Sequence, residues 1–353
     1  MTLLRLARLV KLARLVQLTR LVQLTRLALF GSAIVLSTVA GADASPIVMK
    51  LGTGTLNDSQ HEWMKIFAAI VDKDSGGRIK VEIYPASQLG TSPRMIEQTQ
   101  LNSIQGVVGP PEFLTGVDAR YQILSAPGLF KDLAHVNRTL QDPDFNQAFL
   151  GLGANKGLKG IGLFISGPTV FVIRKPISKL ADFAGLKLRV LAAPMQLEQV
   201  RSLQATPVPM PLGEVMPALQ QGTIDGVMSC IPVFVALKYS DAAKYLVETN
   251  HGLIASLSVI SKTWFDNLPP DLQDVVVKAG QKASLDVYQF SVDDVNSGRE
   301  KWKKAGGEVI ELSSAEHDQL MHQLVTVGES VTAKSAPERA MFDLLRAAAE
   351  RTK

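Results

Sequence analysis

Two hydrophobic periods alternate along most of this chain, and the switches between them outline its elements. Ile47 to Gly52 reads as a first strand, ended by the Gly/Thr/Asn/Asp/Ser turn at residues 54 to 59. From Gln60 to Lys73 the apolar residues Trp63, Ile66, Phe67, Ile70 and Val71 recur at helical spacing, and Ser75-Gly76-Gly77 closes the helix. Ile79 to Tyr84 alternates as a strand until Pro85 stops it, and Met95 to Asn102 predicts another helix. Gly160 to Ile165 and Thr169 to Ile173 make a nearly continuous apolar strand with a Gly167-Pro168 break, a place for a bend.

The second half repeats this alternation. Lys179 to Gly185 reads as a short helix capped by glycine, and Leu188-Arg189-Val190 as a short strand. Helical spacing returns at 194–203, 212–221 and 233–244, with a strand-like Ile224 to Met228 between and a strand from Ile254 to Ser261 after. Asp271 to Lys304 reads as one long helix that Gly280 and Gly298 could kink. Strands separated by helices predict a mixed α/β fold with much parallel pairing.

The amino end follows neither period. Residues 7–30 repeat every six residues and place Arg8, Arg14, Arg20 and Arg26 in equivalent positions. An apolar run from Leu27 to Ala40 follows, then Ala42-Asp43-Ala44 before Ser45, the order of a secretory signal cleaved near Ala44. The apolar run is shorter than the roughly twenty residues of a membrane span. Residues 1–44 are therefore set aside from the fold, and the expected location is the periplasm.

Removing that segment changes the charge picture. The whole chain has 37 Lys+Arg against 33 Asp+Glu, but residues 45–353 hold 31 against 32. The basic pI of about 9.0 belongs to the export segment, so no nucleic-acid surface is implied. About 309 residues remain, enough for two packed lobes. The single Cys230 excludes an internal disulfide. No nucleotide, zinc-protease or esterase signature occurs, and Gly151 to Gly157 has the wrong spacing for a dinucleotide fingerprint, so no cofactor is expected. His317 and His322, five apart, fall on different sides of a helix and read as surface histidines rather than metal ligands. Asn57-Asp58-Ser59 and Asn137-Arg138-Thr139 read as turn or cap residues rather than glycosylation sites.

The candidate chemistry centres on Arg189. An arginine between Leu188 and Val190 is by default a salt-bridged strand residue, yet its planar fork is suited to holding a carboxylate by two parallel hydrogen bonds. Its setting resembles the solute-binding proteins of tripartite ATP-independent periplasmic (TRAP) transporters. The residues that carry the resemblance are Gly185-Leu186-Lys187-Leu188-Arg189-Val190, Pro207 to Val215, Ala218 to Gly222 and Thr223 to Gly226. Tyr84 to Gly90 is similar to the family's Pro-x-x-Gln-Leu-Gly turn, and residues 127–140 to its apolar loop before an acidic-x-x-His helix start. Asn102 to Val108 departs from the Gly/Asp pair usual after that first turn.

The resemblance implies an α/β, two-lobed Venus-flytrap binding protein with hinge strands and a long helix bracing both lobes. It places one lobe at 45–167 with about 254–300, the other at 168–253 with about 301–330, and a helical tail at 331–353. It implies no catalytic role. It implies a small organic acid docked on Arg189 and delivery to the membrane-embedded permease subunits. Ser229 stands where the family has a ligand-bonding Asn, Thr169 or Pro168 where a second Arg is common, and Leu212 where an aromatic pocket residue is frequent. Asn57 and Glu112 lie on turns at the first-lobe cleft edge, and His251 just before the return strand.

One cation with small polar partners favours a compact monocarboxylate, oxo, hydroxy or aromatic, because unmatched buried donors cost roughly 1 to 3 kcal/mol each. A C4-dicarboxylate binder, or a sensor or scavenger protein of the same fold, is the alternative. An isomerase or hydrolase would need a converging base and acid, and only Glu112 and Asp225 offer themselves.

Overall fold

The structure, a computed structural model, describes residues 45–353, and the expected export segment lies outside them. Two sheets organise the chain. The first has the order β2-β1-β3-β10-β4, from β1 (Ile47–Thr53), β2 (Ile79–Tyr84), β3 (Gly106–Gly109), β4 (Leu158–Pro168) and β10 (Leu253–Ser261). Here β1 runs parallel to β2 and β3, while β10 is antiparallel to β3 and β4.

The helix Ser59–Ser75 covers this sheet, and its ends are written in its sequence. Asp58 caps the start by accepting from the His61 amide, and Gly76 ends it in the left-handed conformation at φ 63°. The face predicted from spacing is the buried one: Trp63 stacks on Phe67 and on Phe164 of β4, at centroid distances of 4.9 and 5.7 Å. The second acidic-x-x-His start also behaves as a cap, since Asp132 accepts from the His135 amide at 2.7 Å.

The second sheet has the order β11-β9-β5-β8-β6-β7, from β5 (Val170–Ile173), β6 (Lys187–Val190), β7 (Thr206–Pro209), β8 (Gly226–Ser229), β9 (Tyr245–Glu248) and β11 (Glu308–Glu311). The chain passes from one sheet to the other at the predicted break. Pro168 ends β4 opposite Leu253, and Val170 begins β5 opposite Ser229. Between them Thr169 donates its amide to the Gly252 carbonyl at 2.9 Å, which ties the two crossing segments together. Gly167 sits at φ 157° against Cys230 and Val295, where a side chain would crowd both. Asp225 lies just before β8 and bonds the backbone of Lys187, so it aligns strands rather than serving chemistry.

Two expectations need correction. The 270–304 segment is two helices, Pro270–Asp286 and Tyr288–Lys304, with the break at Val287 and not at a glycine. Its glycines allow close approach instead: a Cβ on Gly280 would collide with the Ile161 carbonyl, and one on Gly298 with Ile231. The first helix packs on β4 and on Ser59–Ser75, and the second reaches Ile231–Ala236 and β11, so together they span both sheets.

The second correction concerns 233–244. The helix there ends at Ala236, because Lys238 turns left-handed at φ 53° and a short 3₁₀ turn, Tyr239–Asp241, leads into β9. At the carboxyl end, Val327–Thr332 packs on Pro194–Ser202, and Ala336–Arg351 packs on Ala119–Ser125 and Leu133–Leu140. No helix among the described residues is long and apolar enough to cross a membrane.

Candidate functional site

The second sheet presents a charged group inside an apolar frame. In β6, Leu188 and Val190 alternate into one core. Arg189 faces the other way, in register with Val208 of β7 and Val227 of β8, both of which line a separate apolar cluster. It is 1% exposed, and it is the only Lys or Arg buried among the described residues. Its Nε and Nη2 donate to the Met210 carbonyl at 3.0 and 2.9 Å. No carboxylate among the described residues pairs with it. Burial pulls its pKa down to about 10, opposed by the nearby Tyr239, so it stays charged at neutral pH.

The carbonyl that holds Arg189 is itself fixed by sequence. Pro207, Pro209 and Pro211 keep the chain extended through Met210, and the helix Leu212–Gln221 begins directly after. Its first amides lack intrahelical partners and add positive potential beside the guanidinium. The half-buried Leu212 packs with Cys230, Val233 and Ile254, and a side chain placed on Gly54, just past β1, would meet it. A second link joins the sheets nearby, from the Thr115 hydroxyl to the Ala192 carbonyl at 3.3 Å. Ser229 lies two residues beyond Val227 and so shares the face of Arg189; it is 7% exposed.

Other sequence candidates lie elsewhere. His251 sits on the opposite side of the sheet, stacked on Phe171 at 5.4 Å. Both ring nitrogens are engaged, Nδ1 with Thr249 Oγ1 at 2.8 Å and Nε2 with Gln199 Oε1 at 3.1 Å. Burial drives its pKa down to about 3, with a further push from His317. Thr169 is buried in the crossing segment, its amide and carbonyl both bonded. Asn57 is an exposed turn residue at φ 59° whose amide bonds His61 Nδ1. His317 is half-buried and bonds the Thr249 carbonyl at 3.1 Å, so of the expected surface histidines only His322 is exposed.

Glu112 is different. It is fully buried in the 3₁₀ turn Pro111–Leu114, and neither carboxylate oxygen has a well-aligned hydrogen-bond partner, although its own amide and Ser125 lie close enough to favour the charged form. Burial pushes its pKa up to about 8, against smaller opposing effects of its own amide and Ser125, so the neutral acid dominates at neutral pH.

Sequence reasoning missed Tyr239, whose buried hydroxyl is also unpartnered and whose charge state is linked to Arg189. It was hidden inside the expected 233–244 helix. Thr55 Oγ1, at the end of the first strand's turn, is unpartnered as well. The two largest cavities described, about 610 and 580 Å³, border the loop Gly128 to Lys131 and include none of Arg189, Ser229 or Leu212. Unmatched hydrogen-bonding capacity, rather than void volume, is what makes Arg189 the candidate.

Residues 52–334 match the family described as bacterial extracellular solute-binding protein, family 7 (DctP). The chain belongs to that family. A relative, the 2,3-diketo-L-gulonate-binding periplasmic protein YiaO of Escherichia coli K12, is 31% identical over 72% of this chain and 77% of its own. Among solved structures, the sugar acid binding protein DctPAm of Advenella mimigardefordensis in complex with galactonate superposes with a TM-score of 0.83. It is 25% identical and covers 88% of this chain and 100% of its own. A TRAP periplasmic solute-binding protein of Shewanella oneidensis with bound succinate gives 0.78 at 25% identity, covering 86% and 99%. The two-sheet architecture is thus that of the two-lobed TRAP solute-binding proteins, and the DctP family serves transport rather than catalysis.

Proposed function

We propose that this protein is an exported binding subunit that captures a small monocarboxylate between its two lobes and hands it to TRAP permease subunits in the membrane. One observation carries the ligand reading. Arg189 is a fully buried cation whose only protein partner among the described residues is a carbonyl, and such a charge is stabilised when an anion completes its shell. Two of the similar proteins fit this reading, since 2,3-diketo-L-gulonate and galactonate each carry one carboxylate. Succinate, bound by the Shewanella protein, carries two, and a second carboxylate here would need a cation that no other buried Lys or Arg among the described residues supplies.

In this reading residues 1–44 are a signal removed near Ala44. Residues 45–167 with about 254–300 form one lobe, 168–253 with about 301–330 the other, and 331–353 a tail. Ser229 on the arginine's face and Leu212 at the cleft edge complete the second-lobe contacts, and contacts made to both lobes favour the closed form.

Calorimetry on the mature protein tests this with galactonate, lactate, pyruvate and succinate. Micromolar or tighter binding of at least one monoacid, weakened by about 2 kcal/mol or more in Arg189→Lys, is the expected result. Tighter binding of succinate than of every monoacid, or a lysine variant that binds as well as wild type, would overturn the clamp.

A further inference from the structure

The larger of the two cavities, about 610 Å³, includes none of Arg189, Met210, Leu212 and Ser229, and it is roomy enough for a small-molecule ligand. Pro168 and Gly252, which belong to the two crossing segments, form part of its wall, with His251 beside them. The rest comes largely from the loop Gly128 to Leu133 and from the helix Tyr288–Lys304, which packs on β4 as well as on Ile231–Ala236. The cavity therefore sits at the hinge between the sheets.

Phe130, Leu133, Ile231, Leu253, Val295 and Met321, all buried or half-buried, give it an apolar floor. The charges of the lining balance, two cations against two anions, and they are largely committed. Arg299 donates from Nε to Glu248 at 2.6 Å and from Nη1 to Glu311 at 3.0 Å. Lys131 stands exposed at the rim next to Asp132, whose carboxylate caps the helix Leu133–Leu140. His251 is neutral with both ring nitrogens bonded. A charged ligand would meet no buried counter-charge free to pair with it. Hydrogen-bonding capacity remains at Asn250 and Asn296, whose side-chain amides bond none of the described residues.

We propose that this hinge cavity is a second ligand site, separate from the Arg189 clamp, which takes an uncharged molecule with an apolar body and one amide- or hydroxyl-type end. The asparagine amides both donate and accept, which matches such an end and gives no preference to an anion. The apolar body leaves water for the floor of the cavity. Between two of the walls the Thr169 amide donates to the Gly252 carbonyl at 2.9 Å. An occupant thus rests on the segments that bend when two lobes close, and it favours the arrangement of them that fits it.

Fluorescence titration of the mature protein tests this with the neutral probe N-phenyl-1-naphthylamine and its sulfonated analogue 8-anilinonaphthalene-1-sulfonate, with decanamide and decanoate as competitors. One neutral probe should bind per chain, at least about tenfold more tightly than the sulfonate, and decanamide should displace it at least about tenfold more effectively than decanoate. Asn296→Trp, at an exposed helix position, should fill the cavity and abolish binding. Asn296→Leu should keep the neutral probe and weaken decanamide about fivefold, the loss of one hydrogen bond. Arg189→Met should bind both as wild type does. With decanamide bound, amide exchange in residues 166–170 and 250–254 should slow at least about threefold. A sulfonate that binds as tightly as the neutral probe, neutral-probe binding untouched by Asn296→Trp or lost in Arg189→Met, decanamide displacement untouched by Asn296→Leu, unchanged exchange in those segments, or no binding of either probe overturns the proposal.

Discussion

Arg189 and His251 are both fully buried ionisable side chains of the second half of the chain, yet they sit in opposite chemical situations. His251 lies on the Phe171 side of the sheet with each ring nitrogen bonded, and it is neutral. Arg189 lies on the other side with one carbonyl partner and a charge that no acid among the described residues balances. Burial alone does not make a site. What separates the two is residual hydrogen-bonding and charge capacity, which a ligand can fill in one case and not in the other.

The sharpest way to break this contrast is to remove the charge. Arg189→Met should abolish carboxylate binding, a loss of about 3 kcal/mol or more, because the anion then enters a cleft without its cation. The same substitution should leave the ligand-free protein as stable as wild type or more so, since it removes an uncompensated buried charge. Thermal melts and titrations of the same preparation decide it. A ligand-free variant that melts well below wild type would mean that Arg189 is structural after all.

His251 should respond to pH. Its folded pKa of about 3 lies below the unfolded value of 6.5, so the folded state resists the proton that the unfolded chain accepts. Stability is therefore unaffected above pH 6.5 and falls between 6.5 and about 3, by up to about 1.4 kcal/mol per pH unit. His251→Gln, which retains a donor and an acceptor, should show a shallower acid slope in denaturant midpoints from pH 7 to 4. Parallel slopes for the two proteins would show that His251 does not set the acid limit.

The same contrast explains what could be read in the sequence. Elements with a clear period were legible: the helix 59–75 and the strands on either side of Gly167-Pro168 fall where apolar spacing puts them. Residues 233–244 were not, because apolar spacing continues past Ala236 while the backbone turns at Lys238, which no local pattern signals. Gly280 and Gly298 were misread as kinks because their use is tertiary, a close approach to Ile161 and Ile231. Arg189 was legible through its motif. His251, Glu112 and Tyr239 could be ranked only by counting partners that come from distant segments, Gln199 on one side and none on the other.

The smallest effect concerns Ser229, the residue on the arginine's face that stands where the family has an Asn. If it lends the bound carboxylate a hydrogen bond, Ser229→Ala should weaken binding by about 0.5 to 1.5 kcal/mol, the net value of one such bond. Ser229→Asn discriminates further. The longer amide takes more of the space on the arginine's face, so it should penalise bulky acids such as galactonate more than lactate. Titrations of both acids against both variants measure the ratio. Equal losses for the two acids in Ser229→Asn would place Ser229 outside the volume the ligand occupies and reduce the second-lobe anchor to Arg189 and the start of its neighbouring helix.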